Sequence, residues 1–403
     1  MTAQPGISQR FIPIIEVFSE KFHRNFLEEH RVGSPLGAWC LLAYIATNDE
    51  NPNPEVTKSL GCTTREAKEI LLALIKEKPA VIALAVNSWI NPSVADTRPI
   101  SSWTKDVAEI ARPVASIPDA EELNEWVERE TLGLISEFPA TINRNDFLAL
   151  FSTVAATEIN WETPLKVMPN EDMEQAWNVR NFLVDKEARN AFIHNDSVHG
   201  NFAVHLGVAA DGDLNVYSVI ALDENVPEAA TMAVARSIAS GAYNPVKIQD
   251  LELGESKNGS LIVTERVSSF FDNTIRAYLP AWKSSNSFNL LDMNLGFRES
   301  IDRFKSIGGA IGLKVEAEQV SVAEYSTAGF KAAAVSHALV ALRSSTAGTY
   351  KSRNVVVRFN QPYAVVASID PYGTSSWRGI PVFDGWVTKA NDIEVKPRGR
   401  RIS

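Results

Sequence analysis

Residues 327–344, TAGFKAAAVSHALVALRS, combine features of a buried strand with features of an exposed loop. Read with a period of two, one face carries only small or apolar side chains, which suits burial in a sheet. These side chains are Phe330, Ala332, Ala334, Ser336, Ala338, Val340 and Leu342. The stretch continues into SSTAGTYKSR (344–353), which is typical of a loop. The sequence therefore predicts a segment that suits both states, although a buried Ala-rich helix or an ordinary strand also fits the stretch taken alone.

Composition places the chain among globular proteins with a large core. It has 403 residues, of which 45% are hydrophobic and 22% charged. The net charge of −10 argues against partners such as nucleic acid or an anionic membrane surface. No run of apolar residues is long enough for a membrane span. The N-terminal stretch lacks the apolar segment of a signal peptide, so we expect a cytoplasmic protein, with an extracellular location left open for a processed chain.

The order of predicted elements indicates an α+β fold. Helices are predicted at 14–26, 32–47, 63–76, 121–138 and 290–304. Strands are predicted at 80–90, 147–157, 202–208, 214–221, 260–267, 274–279, 313–325, 355–359, 363–369 and 381–387. Helices thus dominate early and strands late, without a βαβ rhythm, which favours mixed or antiparallel sheets over a doubly wound fold.

Motifs of catalysis and metal binding are missing from the sequence. There is no GxSxG elbow, Walker A loop, HExxH or CxxC pair, and the glycine-rich segment 306–312 lacks the P-loop lysine. The spacing of His194, His199 and His205 matches no common zinc pattern, so surface histidines are predicted. Cys40 and Cys62 are predicted to be small buried apolar residues. We therefore expect no catalytic residue, no metal and no cofactor.

Eight stretches, in family order, resemble motifs of the serpin family of serine protease inhibitors. They are 34–36 (SPL), 124–135 (NEWVERETLGLI), 151–165 (FSTVAATEINWETPL), 277–282 (AYLPAW), 295–297 (LGF), 329–336 (GFKAAAVS), 359–363 (FNQPY) and 383–387 (FDGWV). Each match is weak alone, but together they run through most of the chain. The region from about 170 to 260 is the least recognisable.

The resemblance implies one domain, 1–403, of three β-sheets with eight or nine helices. It also implies an exposed reactive loop at about 327–354 and a C-terminal tail at 391–403. In the family a protease cleaves the loop and forms an acyl-enzyme, and the loop then inserts into the main sheet. Because the protease supplies the chemistry, the chain itself would not be an enzyme.

The family's spacing also implies a reactive bond. The scissile residue lies fourteen positions after the hinge glycine, and counting from Gly329 gives Arg343, followed by Ser344. An Arg–Ser bond suits a trypsin-like serine protease as partner, with the inhibitor a monomer. The loop is about eight residues longer than usual after Arg343, so Lys351 and Arg353 are alternative cleavage sites.

The hinge departs from the family pattern at its start. The implied hinge residues are Thr327, Ala328, Gly329, Phe330, Lys331, Ala332, Ala333, Ala334, Val335 and Ser336. Thr327 and Ala328 replace an acidic pair, and Phe330 replaces a Thr or Ser. On insertion, burial of the Phe330 ring would gain about 2 kcal/mol, whereas crowding would cost about 1–3 kcal/mol, so the two effects are comparable.

The implied sheet-opening region comprises Ser34, Thr153, Trp161 and Gln319. Thr153 replaces the family's Asn, Gln319 an often-found His, and Gly37 a Ser, so the polar cluster of this region is either rebuilt or lost. The hinge departures favour an alternative function, that of a non-inhibitory binding or carrier protein with the same fold. A hydrolase with no recognisable motif is the remote alternative.

Overall fold

Three β-sheets and eight helices of at least seven residues form the fold in the computed structural model. It describes residues 6–47, 49, 51–131, 133–138, 147–169, 177–186, 190–268, 273–308, 314–330 and 350–393. The helices are α1 (Ile7–His23), α2 (Pro35–Ile45), α3 (Pro54–Leu60), α4 (Thr64–Lys76), α6 (Arg98–Val107), α7 (Ala120–Glu130), α8 (Glu228–Ala239) and α9 (Phe297–Gly308), and the short turn α5 is Pro92–Ala95. The predicted α+β class, with three sheets and eight or nine helices, is confirmed.

Sheet I is the mixed sheet that carries the predicted hinge. Its strands are β2 (Ile82–Ile90), β3 (Phe147–Thr157), β4 (Ile159–Asn160), β14 (Trp282–Asn289), β15 (Lys314–Tyr325) and β16 (Gly329–Phe330). They are ordered β2-β3-β15-β16-β4, and β14 pairs with β15. β3 and β15 run parallel, whereas β2 and β14 are antiparallel to their neighbours.

Sheets II and III complete the scaffold. Sheet II, ordered β1-β19-β18-β9-β8-β7-β10, contains β1 (Arg31–Gly33), β7 (Ala191–Asp196), β8 (Gly200–Val208), β9 (Leu214–Ala221), β10 (Pro245–Val246), β18 (Tyr363–Ile369) and β19 (Pro381–Val387). Sheet III, ordered β11-β12-β17-β13-β6-β5, contains β5 (Lys166–Pro169), β6 (Asn181–Asp185), β11 (Gly254–Glu255), β12 (Leu261–Ser268), β13 (Thr274–Leu279) and β17 (Tyr350–Arg358).

Helix α2 lies at the centre of the molecule, as its uncharged sequence predicts. Ser34 is its N-cap, with its Oγ accepting from the Gly37 N–H, and Pro35 occupies the first helical position. Every residue of α2 is buried. A helix that is apolar all round is stable only with packing on every side, and α2 contacts both β3 and β19.

Two predicted helices are shorter than their apolar patterns suggest. Helix α7 ends at Glu130 rather than near 138, because the Thr131 hydroxyl bonds the Val127 carbonyl and the chain then turns through Gly133 at φ +75°. Helix α9 begins at Phe297 rather than 290, because Gly296 has a φ of +84° and breaks the helical path. Apolar spacing alone does not report these backbone turns.

A buried ionic cluster joins α1, α8 and sheet II. His23 Nε2 lies 2.7 Å from Asp384 Oδ1, and Arg236 Nη1 donates to Asp384 Oδ2 at 3.3 Å. Arg31 donates from Nε to His23 Nδ1 at 3.0 Å and also pairs with Glu228. Since Nδ1 accepts a hydrogen bond, His23 is neutral here. Burial lowers the pKa of His23, partly offset by Asp384.

We expect the free energy of unfolding to fall as the pH drops below about 6.5, where an unfolded histidine takes up a proton that buried His23 resists. Above about pH 6.5 the stabilising contribution of neutral His23 is fully present, and it is lost as the pH falls toward the lowered pKa of His23 in the folded protein. One such group contributes a slope of at most about 1.4 kcal/mol per pH unit. Urea titrations at pH 7.5 and 5.5 should show a smaller pH effect for His23→Gln than for the parent. The surface variant His199→Gln is the control, and equal pH effects in all three proteins would contradict the assignment.

The prediction of small buried cysteines is confirmed for Cys40 but not for Cys62. Cys40 is buried, and Cys62 is half-buried, where burial raises the pKa of its thiol to about 12. In the described part of the chain, no helix is both long and apolar enough to span a membrane. Nor do the described residues form a cluster of three or more His, Cys, Asp or Glu side chains suited to a metal ion.

Candidate functional site

The start of the predicted hinge is already a strand of sheet I. Gly329 pairs with Asn160 and Phe330 with Ile159, both on β4, while Phe330 also pairs with Tyr325 at the end of β15. The chain therefore leaves β15, reverses direction, and returns antiparallel between β15 and β4. This placement differs from a hinge that is wholly exposed.

The turn before this strand is fixed by backbone hydrogen bonds. The Trp161 N–H donates to the Ala328 carbonyl and the Leu165 N–H to the Thr327 carbonyl, both at 2.9 Å. The Trp161 indole donates from Nε1 to the Ser326 carbonyl at 3.0 Å. The uncharged Thr327 and Ala328 thus contribute carbonyl groups to the turn, and Trp161 holds it in place as well as lying beside it.

The Phe330 ring is buried before any cleavage of the loop. Only 3% of the residue is exposed. Its ring packs edge-on against Trp282, with centroids 6.2 Å apart, and against Phe383 at 6.4 Å. Trp282 in turn stacks on Tyr325 at 5.9 Å. The free energy of burying this ring is therefore already included in the stability of the intact protein and is not released by a later insertion step.

The remaining hinge residues and the predicted reactive bond lie outside the described residues. They are Lys331, Ala332, Ala333, Ala334, Val335, Ser336, Arg343 and Ser344. The predicted C-terminal end of the loop at 354 does not hold, because β17 begins at Tyr350 and pairs with β12 and β13 on its two sides. Lys351 and Arg353 lie in the first part of this strand, opposite Val267 and Glu265 of β12, rather than in a loop. The tail also begins later than 391, since Asn391 bonds the backbone of Ala281 and Lys283.

Below the hinge, the pairing between β3 and β15 stops partway along the sheet. Its register runs from Lys314 opposite Phe147 to Gln319 opposite Thr153. Among the described residues, the part of β15 that follows Gln319 does not pair with the part of β3 that follows Thr153. These two unpaired strand ends leave a gap in sheet I. At the Tyr325 end of β15 this gap is closed by β16, which pairs there as an additional short strand.

The predicted sheet-opening cluster is rebuilt around Gln319, at the point where the pairing stops. Gln319 Nε2 donates to the Ser34 carbonyl at 2.8 Å, and Gln319 Oε1 accepts from the Ser34 N–H at 3.1 Å. The Ser34 hydroxyl donates to the Val382 carbonyl at 2.7 Å. A Cβ at Gly37 would lie 3.1 Å from Gln319 Nε2, so the glycine makes room for the amide. Thr153, on the paired strand, donates to the Ala85 carbonyl at 3.3 Å.

We expect Gln319→Met to lower the free energy of unfolding by about 2 kcal/mol, because the buried Ser34 N–H loses its partner, whereas the Ser34 carbonyl keeps the Ala38 N–H at 3.1 Å. Guanidinium titration monitored by tryptophan fluorescence measures the loss. Gln361→Met is the matched control, since that half-buried amide makes one longer bond to the Ala221 carbonyl, at 3.4 Å. An equal loss in both variants would show that the cluster at Ser34 has no special role.

A buried polar cluster that the sequence analysis missed anchors the end of β15. His205 Nε2 lies 3.0 Å from Asp185 Oδ2, which also accepts from Asn190 Nδ2 at 3.0 Å. The Tyr325 hydroxyl lies 3.1 Å from His205 Nδ1, and burial raises the pKa of that hydroxyl well above its usual range. The cluster joins strands of all three sheets immediately before the hinge.

The prediction of surface histidines is wrong for two of the three. His205 is 1% exposed and His194 is 6% exposed, whereas His199 is at the surface. The apolar neighbours of His205 in FAVHLGV were the available signal, because a lone histidine in such a run is buried and needs a partner. Its partner Asp185 lies twenty residues earlier, in the segment least like the family.

Comparisons with known proteins identify the fold. No protein-family model matches the chain, and neither does any curated protein sequence. Among solved structures, the thermophilic serpin tengpin in its native state matches at 16% identity over 94% of each chain, with a TM-score of 0.65. Human thyroxine-binding globulin in complex with thyroxine matches at 14% identity with a TM-score of 0.65, over 96% of this chain and 100% of that chain. Serpin48 of the insect Tenebrio molitor matches at 14% identity with a TM-score of 0.61, over 97% of this chain and 100% of that chain. The resemblance in sequence motifs and the likeness in structure agree: this chain has the serpin fold, as a divergent example of it.

Proposed function

We propose that this protein is a suicide-substrate inhibitor of a trypsin-like serine protease, cleaved between Arg343 and Ser344. One observation carries the proposal: Gly329 and Phe330 already stand as the first residues of an added strand between β15 and β4. Extension of that strand alongside β15, from Tyr325 toward Gln319, would fill the gap where β3 and β15 are not paired. The register also fixes which side chains would face inward, since Ala332 and Ala334 follow Phe330 with a period of two.

The energy available for insertion is sufficient to distort a protease. Continuing the strand from Lys331 to Leu342 would form about a dozen ladder hydrogen bonds, each contributing about 1 kcal/mol net. A drive on the order of 10 kcal/mol matches the whole stability of a typical domain. Since β16 is already formed, this drive must come from the residues after Phe330.

Arg343 gives the proposal its specificity. Its guanidinium would pair with the carboxylate in the specificity pocket of a trypsin-like protease, an interaction that favours Arg at the residue before the cut bond. The protease contributes the nucleophile and general base, and the inhibitor contributes only a bond in an extended loop. The absence of catalytic motifs from the sequence is consistent with this role.

The test is incubation with trypsin followed by a denaturing gel and mass spectrometry. We expect a complex that survives SDS, and a released fragment that spans Ser344–Ser403, 60 residues. A fragment that begins elsewhere would contradict the assignment of the bond. Cleavage without any complex would contradict inhibition of this protease class by trapping.

A non-inhibitory carrier is the second candidate, and the fixed hinge favours it. The Thr327 carbonyl is held by the Leu165 N–H, and Phe330 is packed in the core, so the start of the loop is tied to sheet I. Human thyroxine-binding globulin, in complex with thyroxine, is among the similar structures. For a carrier we expect clean cleavage, no complex, and an unchanged denaturant midpoint after cleavage.

A further inference from the structure

A cleft far along the chain from the hinge has the character of a small-molecule site. It lies between the C-terminal end of α2, helix α6 and helix α9, and has a volume of about 280 Å³. Sites for drug-sized ligands begin at about 300 Å³, so this one suits a ligand of one or two rings. Its lining contains none of the predicted hinge or sheet-opening residues.

The floor of the cleft is aromatic. Trp103 and Phe304 line it, with ring centroids 5.3 Å apart in an edge-to-face arrangement. Both rings also pack against Phe151 of β3, at 5.9 and 5.2 Å. Ile45 and Pro99 extend the apolar wall. A flat ring or a compact aliphatic body would therefore be buried against a rigid surface.

The rim of the cleft is electronegative. Asp49, Asp106 and Arg303 line it, and Arg303 Nε contacts Asp49 Oδ1 at 3.8 Å. Asp106 has no cationic partner among the described residues, and it lies in the last turn of α6, where the helix dipole disfavours a carboxylate. The C-terminal end of α2 also lines the cleft and adds partial negative charge. A cation bound here would offset this charge.

Two lining side chains bury polar atoms that have no protein partner in the described part of the chain. They are the Nε1–H of Trp103 and the Oγ of Ser300. Both residues are more than nine-tenths buried. Both atoms are themselves inaccessible, so they lie beneath the surface of the cleft, and the polar contact expected of a cation there falls to Asp106.

From these features we propose that the cleft binds a small organic cation, namely a one- or two-ring body against Trp103 and Phe304 with an ammonium group beside Asp106. The site goes beyond protease inhibition and does not depend on it. Tryptamine is a suitable probe, because it joins an indole ring to a primary ammonium group. Indole-3-acetate carries the same ring with the opposite charge, and 3-methylindole is uncharged.

Saturation-transfer NMR on the full chain, without protease, tests the site. We expect tryptamine to bind with a dissociation constant of about millimolar, as fits a ligand of its size, and at least about five-fold more tightly than indole-3-acetate. 3-Methylindole should fall between them. Equal affinity for the cation and the anion, or no binding of tryptamine, would overturn the proposal.

Two variants locate the binding. Asp106→Asn should weaken tryptamine about five-fold and leave 3-methylindole unchanged. The exposed carboxylate Glu109, three residues on, gives the matched control Glu109→Gln, which should bind as the parent does. Ser102→Trp at the rim should block all three probes without lowering the melting temperature. Full tryptamine binding by Asp106→Asn or by folded Ser102→Trp would place the ligand elsewhere and refute the proposal.

Discussion

We expect Ala334→Arg to abolish trapping of trypsin while the loop is still cleaved. Phe330 is buried at the first position of the added strand, so the side chain four residues later would face the same interior when the strand extends. Burying an unpaired guanidinium costs about 3–5 kcal/mol, which corresponds to a loss of about a hundredfold or more in the rate of insertion. The measurement is the fraction of trypsin converted to an SDS-stable complex per loop cleaved.

Ala333→Arg is the matched control, because the neighbouring position would face the opposite side of the sheet. It adds the same charge, the same volume and the same new Arg to the loop. We expect it to retain most of the trapping, since the guanidinium can reach solvent at the outer face. Equal loss in both variants would contradict the register set by Phe330, and so would full trapping by Ala334→Arg.

Much of the scaffold could be predicted from local signals. The cap Ser34 and the uncharged run after it predicted α2, and alternation or continuous apolar character predicted β3 and β18 with their observed bounds. These elements depend on side chains that are close together in sequence. Their apolar periodicity and helix caps can therefore be recognised without knowledge of tertiary contacts. β14 was missed because its sequence, WKSSNSFN, is too polar for a typical strand, and it gains its place from pairing with β15.

The site was predicted less completely because its contacts are not local. The family motifs indicated Gln319 and Ser34, and the structure adds that one amide bonds both backbone groups of the other residue, across 285 positions of sequence. The link from Asp185 through His205 to Tyr325 joins three sheets. No period or spacing contains that information. The family pattern predicts that the Phe330 ring becomes buried on insertion, whereas in the structure it is buried from the start.

Phe330→Ala distinguishes these two views of the hinge. Deleting a buried phenyl ring costs about 3–5 kcal/mol in whichever states bury it. If the ring is buried before and after cleavage, its contribution cancels from the difference between them. We therefore expect the variant to lower the guanidinium midpoint of the intact and of the trypsin-cleaved protein by equal amounts, so that the gain on cleavage stays the same.

Phe330→Leu serves as the control, because it keeps most of the volume between Trp282 and Phe383 and should cost less than about 1.5 kcal/mol in both forms. Suppose instead that Phe330→Ala leaves the intact protein unchanged and destabilises only the cleaved one. The ring would then be buried by insertion alone, and β16 would not exist before cleavage. Equal losses would mean that the ring anchors the strand in advance, so that insertion is driven by the small residues after it, from Ala332 onward.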